Sequence, residues 1–234
     1  MPEPDLKPPF ESGVALPAED GWAARLRAFG PVGILTMLVI PFAGTALIGA
    51  ILVLLWARFS RTSWREIGYV RPKSWIHILV VGIAFGVAFK FLMKTMVMPL
   101  LGANPINQAY HYIAGNPAAV LQMAVFVIVG AGFGEETVYR GFLFERFGKL
   151  FGTGLGAKGL TVLLTSIWFG QVHHADQGMA GAEQAAIMGL VFGAVFAITG
   201  RIFMLMFAHA AFDLTALAMI YWNVETKVAH LVFK

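Results

Sequence analysis

The apolar run from about Ala118 to Phe147 constrains the fold more than any other stretch, because it is long enough to cross a bilayer yet carries Glu135, Glu136 and Arg140 inside it. A membrane-crossing helix needs roughly 20 predominantly apolar residues. Each Glu or Arg at its centre costs on the order of 2.5 to 3.5 kcal/mol even on lenient insertion scales. Three together cost about 8 to 10 kcal/mol, so they need partners within a bundle of helices rather than lipid. A helix turns by about 100° per residue. Glu136 and Arg140 are four apart and share a face, which predicts a bidentate ion pair that neutralises both. Glu135 then points away from that pair toward the bundle interior, where three of the six histidines are candidate neighbours.

Composition enters as support for a bundle. With 58% hydrophobic and 13% charged residues, a chain of 234 residues does not read as a soluble domain; it reads as an all-α polytopic membrane protein, a bundle of about six transmembrane helices with an active site inside the bundle. A net charge of +4 would suggest nucleic acid in a soluble protein. Here the basic residues gather in short loops beside apolar runs, which is positive-inside topology, so no nucleic-acid partner is expected. The absence of cysteine rules out a disulfide, a thiol nucleophile or a thiolate metal site.

Residues 1–30 hold five prolines and five acidic residues with no apolar core of a signal peptide, and are expected to be a flexible N-terminal tail, with an amphipathic turn at Trp22 to Phe29 on the membrane surface. Residues 31–234 are expected to form a single transmembrane helical domain. The first span is expected from Val32 to Trp56, followed by the densest basic loop, with Arg58, Arg61, Arg65, Arg71 and Lys73. The second runs from about Trp75 to Met98, with Lys90 and Lys94 read as snorkelling at its far end. The third is the Glu-bearing run. The fourth covers about Leu160 to Val172, a polar loop reaches Glu183, the fifth ends near Thr199, and the sixth covers Ile202 to Trp222. Counting Lys and Arg, loops 57–74 and 140–158 with Arg201 fall on one side, which places both termini on the other.

Two further pairs lie in these apolar runs. Phe169 and His173 are four apart, and so are His209 and Asp213, so each pair shares a helical face. The ordered set Glu-Glu-x-x-x-Arg, Phe-x-x-x-His and His-x-x-x-Asp resembles the CPBP family, also called Abi or CAAX-protease-like, of intramembrane endopeptidases, over a core of about residues 118–222. The resemblance implies a catalytic Glu135 supported by Glu136 and Arg140, a catalytic His173, and His209 with position 213 as the third motif. Phe169, on the same face as His173, is a candidate substrate-binding residue. Where the family commonly carries Asn, this chain has Asp213. An ionised Asp only accepts hydrogen bonds, so Asp213 either donates in its protonated form or orients His209.

Hydrolysis of a peptide bond without Ser or Cys nucleophiles requires an activated water, which Glu135 and His173 can supply as general base and proton shuttle. His209 with position 213 would stabilise the oxyanion. The preferred reading has no cofactor. The alternative uses Glu135, His173 and His209 as a zinc (Zn2+) site of the His2Glu type with an open position for water, although the zincin spacing is missing. Two non-enzymatic alternatives are a proton-coupled carrier, disfavoured by the lack of an inverted repeat, and a bacteriocin-immunity scaffold. The expected partners are the lipid bilayer and a peptide or membrane-protein substrate. The expected location is the inner (plasma) membrane of a bacterium, as a multi-pass protein.

Overall fold

The computed structural model describes residues 21–233, and every regular element among them is helical, with no strand. The first helix, α1 (Gly21–Arg27), buries Ala23 and Leu26, and the Leu26 carbonyl accepts a hydrogen bond from the Trp56 indole at 3.2 Å. Of the tail expected at 1–30, residues 1–20 lie outside the described residues, and 21–27 form this packed helix.

The span expected from Val32 to Trp56 is two helices. Helix α2 (Pro31–Val39) runs into a tight turn at Ile40–Phe42, and α3 (Ala46–Ser60) starts afresh, with the Thr45 hydroxyl accepting from the Ile48 amide at 3.3 Å. Pro41 removes a helical donor, and Gly44 takes φ 87°, a conformation that favours glycine. Both ends of this segment meet the same neighbour. Arg146 donates to the Arg27 carbonyl at 2.8 Å and lies over the rings of Phe29 and Trp56. The segment therefore enters the bundle and returns to the same end, with its tip at residues 40–46. Residue 21 sits at this end, and the expectation that both termini share a side falls partly on residues 1–20, which lie outside the described residues.

Helix α4 (Trp75–Leu100) follows a cap in which the Ser74 hydroxyl accepts from the His77 amide, and contains a wide π-turn at Met93–Val97. Helix α5 (Pro117–Phe151) starts at Pro117 behind an Asn116 cap and is π-wound over Val127–Glu135 and Thr137–Leu143. Helix α6 (Leu155–Thr199) is broken at Gly178, which takes φ 65° and ψ −165°. There the expected polar loop shrinks to a single reversal. A Cβ placed at Gly170 would meet Ala182 and Ala186, one at Gly189 would meet Ser166, and one at Gly193 would meet Val162, so the two halves lie antiparallel. Helices α7 (Phe203–Tyr221) and α8 (Glu225–Ala229) complete the chain.

By length and composition α4, α5, α6 and α7 can each cross a membrane, and the bent α1–α2 pair adds a fifth if taken as one span. Their outer surfaces are apolar: Val80 on α4, Leu121 on α5 and Ile167 on α6 are more than half exposed, as lipid-facing residues are. The protein is thus a multi-pass membrane protein. The closest helix packing in the bundle joins α4 to α7. A Cβ at Gly82 would stand 2.8 Å from the Met204 carbonyl oxygen, and one at Gly86 would collide with that of Ala208. Glycines four apart let the two backbones meet, which is how helices associate in lipid without a hydrophobic driving force. At one end, Lys149 pairs with Glu66 at 2.9 Å and the Ile202 amide donates to the Gly68 carbonyl, so the basic loops 57–74, 146–154 and 200–202 lie together.

Candidate active site

The π-winding of α5 turns its glutamates toward α7, and Gly132 lets that approach happen, since a Cβ there would lie 2.9 Å from the Met206 carbonyl oxygen. Glu136, Arg140 and His209 are thereby brought together and fully buried. Arg140 Nη1 donates to Glu136 Oε1 at 2.9 Å, and His209 Nδ1 donates to the same oxygen at 2.7 Å. The pair is therefore single-pronged rather than bidentate: Glu136 Oε2 and Arg140 Nη2 have no hydrogen-bond partner among the described residues. The His209 ring claims the shared oxygen, and the guanidinium is held face-on against Phe169 at 5.0 Å and Phe192 at 5.7 Å.

His173 stands on α6 just before the Gly178 break. Its Nδ1 lies 2.7 Å from the Phe169 carbonyl, and because a carbonyl only accepts, Nδ1 carries the proton and Nε2 is free. Both imidazoles present Nε2 to Glu135, with His209 at 3.7 Å and His173 at 4.0 Å from Oε2. That oxygen is buried and has no hydrogen-bond partner among the described residues. Asp213 Oδ2 lies 3.6 Å from His209 Nε2, beyond hydrogen-bond reach. Phe169, expected to touch substrate, is buried, and its ring packs edge-on against His173 at 4.5 Å and Tyr139 at 4.7 Å. It holds His173 in place.

A cavity of about 350 Å3 opens onto Glu135 and His173 and is lined also by Tyr139, Asp176 and the tip at residues 40–46. The tip was not identified from sequence, although Pro41 and Gly44 marked it. The Glu136 to His209 bond was also missed, since only the fold shows which histidine meets which carboxylate. Behind the site, the Thr137 hydroxyl donates to the Phe133 carbonyl at 2.7 Å and the Tyr69 hydroxyl donates to Thr137 at 2.7 Å, tying the loop after α3 to the glutamate-bearing turn.

The donor types of the zinc alternative do converge, since Glu135, His173 and His209 face one another. Zinc binds imidazole nitrogen at about 2.0 to 2.1 Å with tetrahedral angles. Among the described residues, no group of three His, Asp or Glu side chains stands in a geometry that could hold a metal ion.

Residues 117–215 match the family model described as Type II CAAX prenyl endopeptidase Rce1-like. That match agrees with the resemblance read from the motifs and includes Glu135, Glu136, Arg140, Phe169, His173, His209 and Asp213. No curated protein and no solved structure matches the chain.

Proposed function

We propose that this chain, through its Rce1-like domain at residues 117–215, is an intramembrane endopeptidase that hydrolyses peptide bonds of membrane-associated or lipidated peptides or proteins. The observation that carries this reading is the buried, partnerless Glu135 Oε2 facing two imidazole Nε2 atoms across gaps of 3.7 and 4.0 Å. Gaps of that size suit a bridging water rather than a direct bond. In the reaction, the water held by Glu135 and His173 attacks the scissile carbonyl carbon as Glu135 takes its proton. Electrons move to the carbonyl oxygen, and His209 in its doubly protonated form donates Nε2–H to that oxyanion while Nδ1–H stays on Glu136. Collapse reforms the carbonyl and breaks the C–N bond, and the leaving amine receives the proton from Glu135, with His173 as relay. Glu136 and Arg140 act as positioning residues that fix the imidazole of His209. Asp213 either shares the oxyanion in protonated form or orients His209. The proposed reaction uses no metal.

The cavity at the tip, lined by Glu135 and His173, supports access of an extended peptide to Glu135. We read the topology as α4, α5, both halves of α6, and α7 crossing the bilayer while the α2–α3 segment is re-entrant. This replaces the six crossings expected from hydropathy. The Ala- and Gly-rich composition supports a bacterial inner membrane.

Glu135→Gln tests the reading, because the amide keeps the shape and cannot take the proton. Matched thermal melts with loss of cleavage of a peptide library, to below about one per cent, are the expected result, in line with the scale of general-base catalysis. Activity above that level removes Glu135 as the base. A wild-type protein that cleaves nothing returns the scaffold reading, and a substrate-dependent proton flux returns the carrier.

A further inference from the structure

We propose that a cavity at the end of the bundle carrying the basic loops is a binding site for a phosphoethanolamine group, the headgroup of a phospholipid. The cavity measures about 190 Å3 and lies between the last turns of α5, the first turns of α6 and the loop at Gly200. Sites for drug-sized ligands start at roughly 300 Å3, so this one suits a headgroup rather than a whole lipid. Its walls carry two buried polar atoms that the chain leaves unsatisfied. Thr161 is 2% exposed and Glu145 6%, and neither Thr161 Oγ1 nor Glu145 Oε1 has a hydrogen-bond partner among the described residues. The ammonium of Lys149 forms an ion pair with both Glu145 and Glu66, at 2.9 Å from Glu66, without an aligned hydrogen bond on the Glu145 oxygen. A ligand that supplies the missing partners removes the cost of leaving such atoms unmet.

The signs of the lining charges select the ligand. Glu66 and Glu145 line the cavity together with Lys158, which forms no ion pair among the described residues. Lys158 stands in the first turn of α6, and that helix start has no acidic residue and no side-chain cap. A helix N-terminus beside an ammonium favours an anion. A bare anion would nevertheless face two carboxylates, and a bare cation would face Lys158. A zwitterion meets both conditions, with its phosphate at Lys158 and the start of α6 and its ammonium at Glu145 Oε1. The Thr161 hydroxyl can donate to the phosphate. Phe144 and Phe196 supply apolar wall, and Leu150 and Leu155 beside the cavity are 50% and 89% exposed, as residues among acyl chains are. The space stays open because residue 148 is glycine: a Cβ there would meet nothing within 4 Å.

Two sources share this chemistry, the phospholipid and a free phosphate ester of the same group. The test is equilibrium binding to the full chain in detergent, using dihexanoyl phosphatidylethanolamine, its choline and glycerol counterparts, and O-phosphoethanolamine. Partition into the micelle is common to the lipids, so only the differences among them count. Wild type should bind the ethanolamine lipid at least about fivefold more tightly than either counterpart. A quaternary ammonium has no N–H to donate, and the glycerol headgroup brings no cation to Glu145. Glu145→Gln should bring the ethanolamine-to-choline ratio below about twofold. Gly148→Leu puts a side chain into the cavity from a helical position that tolerates it, and should do the same even where Glu145→Gln fails to fold. O-phosphoethanolamine bound within about threefold of the lipid assigns the free ester as the ligand, and weaker binding assigns the lipid. A wild type without preference over the choline lipid, a glycerol lipid bound as tightly as the ethanolamine one, or a preference that survives Gly148→Leu overturns the site. Glu135→Gln protein should show the same preferences, because the cavity includes none of the residues of the proposed reaction, so this result and that of the proteolysis test are separate.

Discussion

Replacing Arg140 with Ala tests the buried network that holds His209. Arg140 is 2% exposed and Glu136 is 0%, and the bond between them is 2.9 Å long. Deleting one partner of such a buried pair costs about 3 to 5 kcal/mol, because the other charge stays buried. Two features of the site pull in opposite directions. Glu136 keeps the Nδ1–H of His209 at 2.7 Å, a bond to a charged group that contributes about 1.5 to 3 kcal/mol and softens the loss. Against that, the guanidinium also fills the space between Phe169 and Phe192, and truncating it leaves a cavity. The expected cost therefore stays near about 3 to 5 kcal/mol. At about 2 to 4 °C per kcal/mol for a chain of this size, that is a fall in Tm of roughly 6 to 20 °C. The double variant Glu136→Gln with Arg140→Gln removes both charges at similar volume and should melt closer to wild type than Arg140→Ala. The assay is thermal unfolding of purified protein in one detergent, with peptide cleavage measured well below each melt. Activity of Arg140→Ala should fall at such temperatures as well, since the imidazole loses its fixed orientation. An Arg140→Ala protein that melts within about one degree of wild type would show that the pair carries no load and refute the argument.

Asp213→Asn separates the hydrolytic mechanisms. If position 213 shares the oxyanion, the amide donates at every pH, so activity should be kept or raised and extend to higher pH; if Asp213 orients a zinc-bound His209, activity or metal affinity should fall about 10- to 100-fold. Rate against pH for both proteins, with chelator and with added zinc, is the measurement, and loss restored by zinc alone would overturn the metal-free reaction. Gly86→Val should separate α4 from α7, because its Cβ would collide with the Ala208 carbonyl, and a destabilisation above about 3 kcal/mol is expected from overpacking at a backbone contact. A Gly86→Val protein with the wild-type melt would mean that the two helices do not meet at this position.

The membrane class and the helical fold could be read from residue types and intervals, and so could a set of candidate site residues. Three charges in one apolar run demand partners whatever the tertiary structure is, and residues four apart share a helical face before any packing is known. Glu135, Glu136, His173, His209 and Asp213 were legible for that reason. Their pairings were not. Whether Glu136 serves Arg140 alone or also His209 depends on how closely α5 meets α7, which Gly132 permits and which no spacing along one helix encodes. The path of the first apolar stretch was likewise hidden. Hydropathy sums over Val32 to Trp56 and reports a span, whereas the turn at Pro41 to Thr45 returns the chain to the end where Arg146 meets the Arg27 carbonyl. Lys90 marks the same limit. A lysine near the end of an apolar run has a stem long enough to reach the interface, and only the packing of α4 against α6 and α7 buries its ammonium beside Gln184 and Phe212 instead.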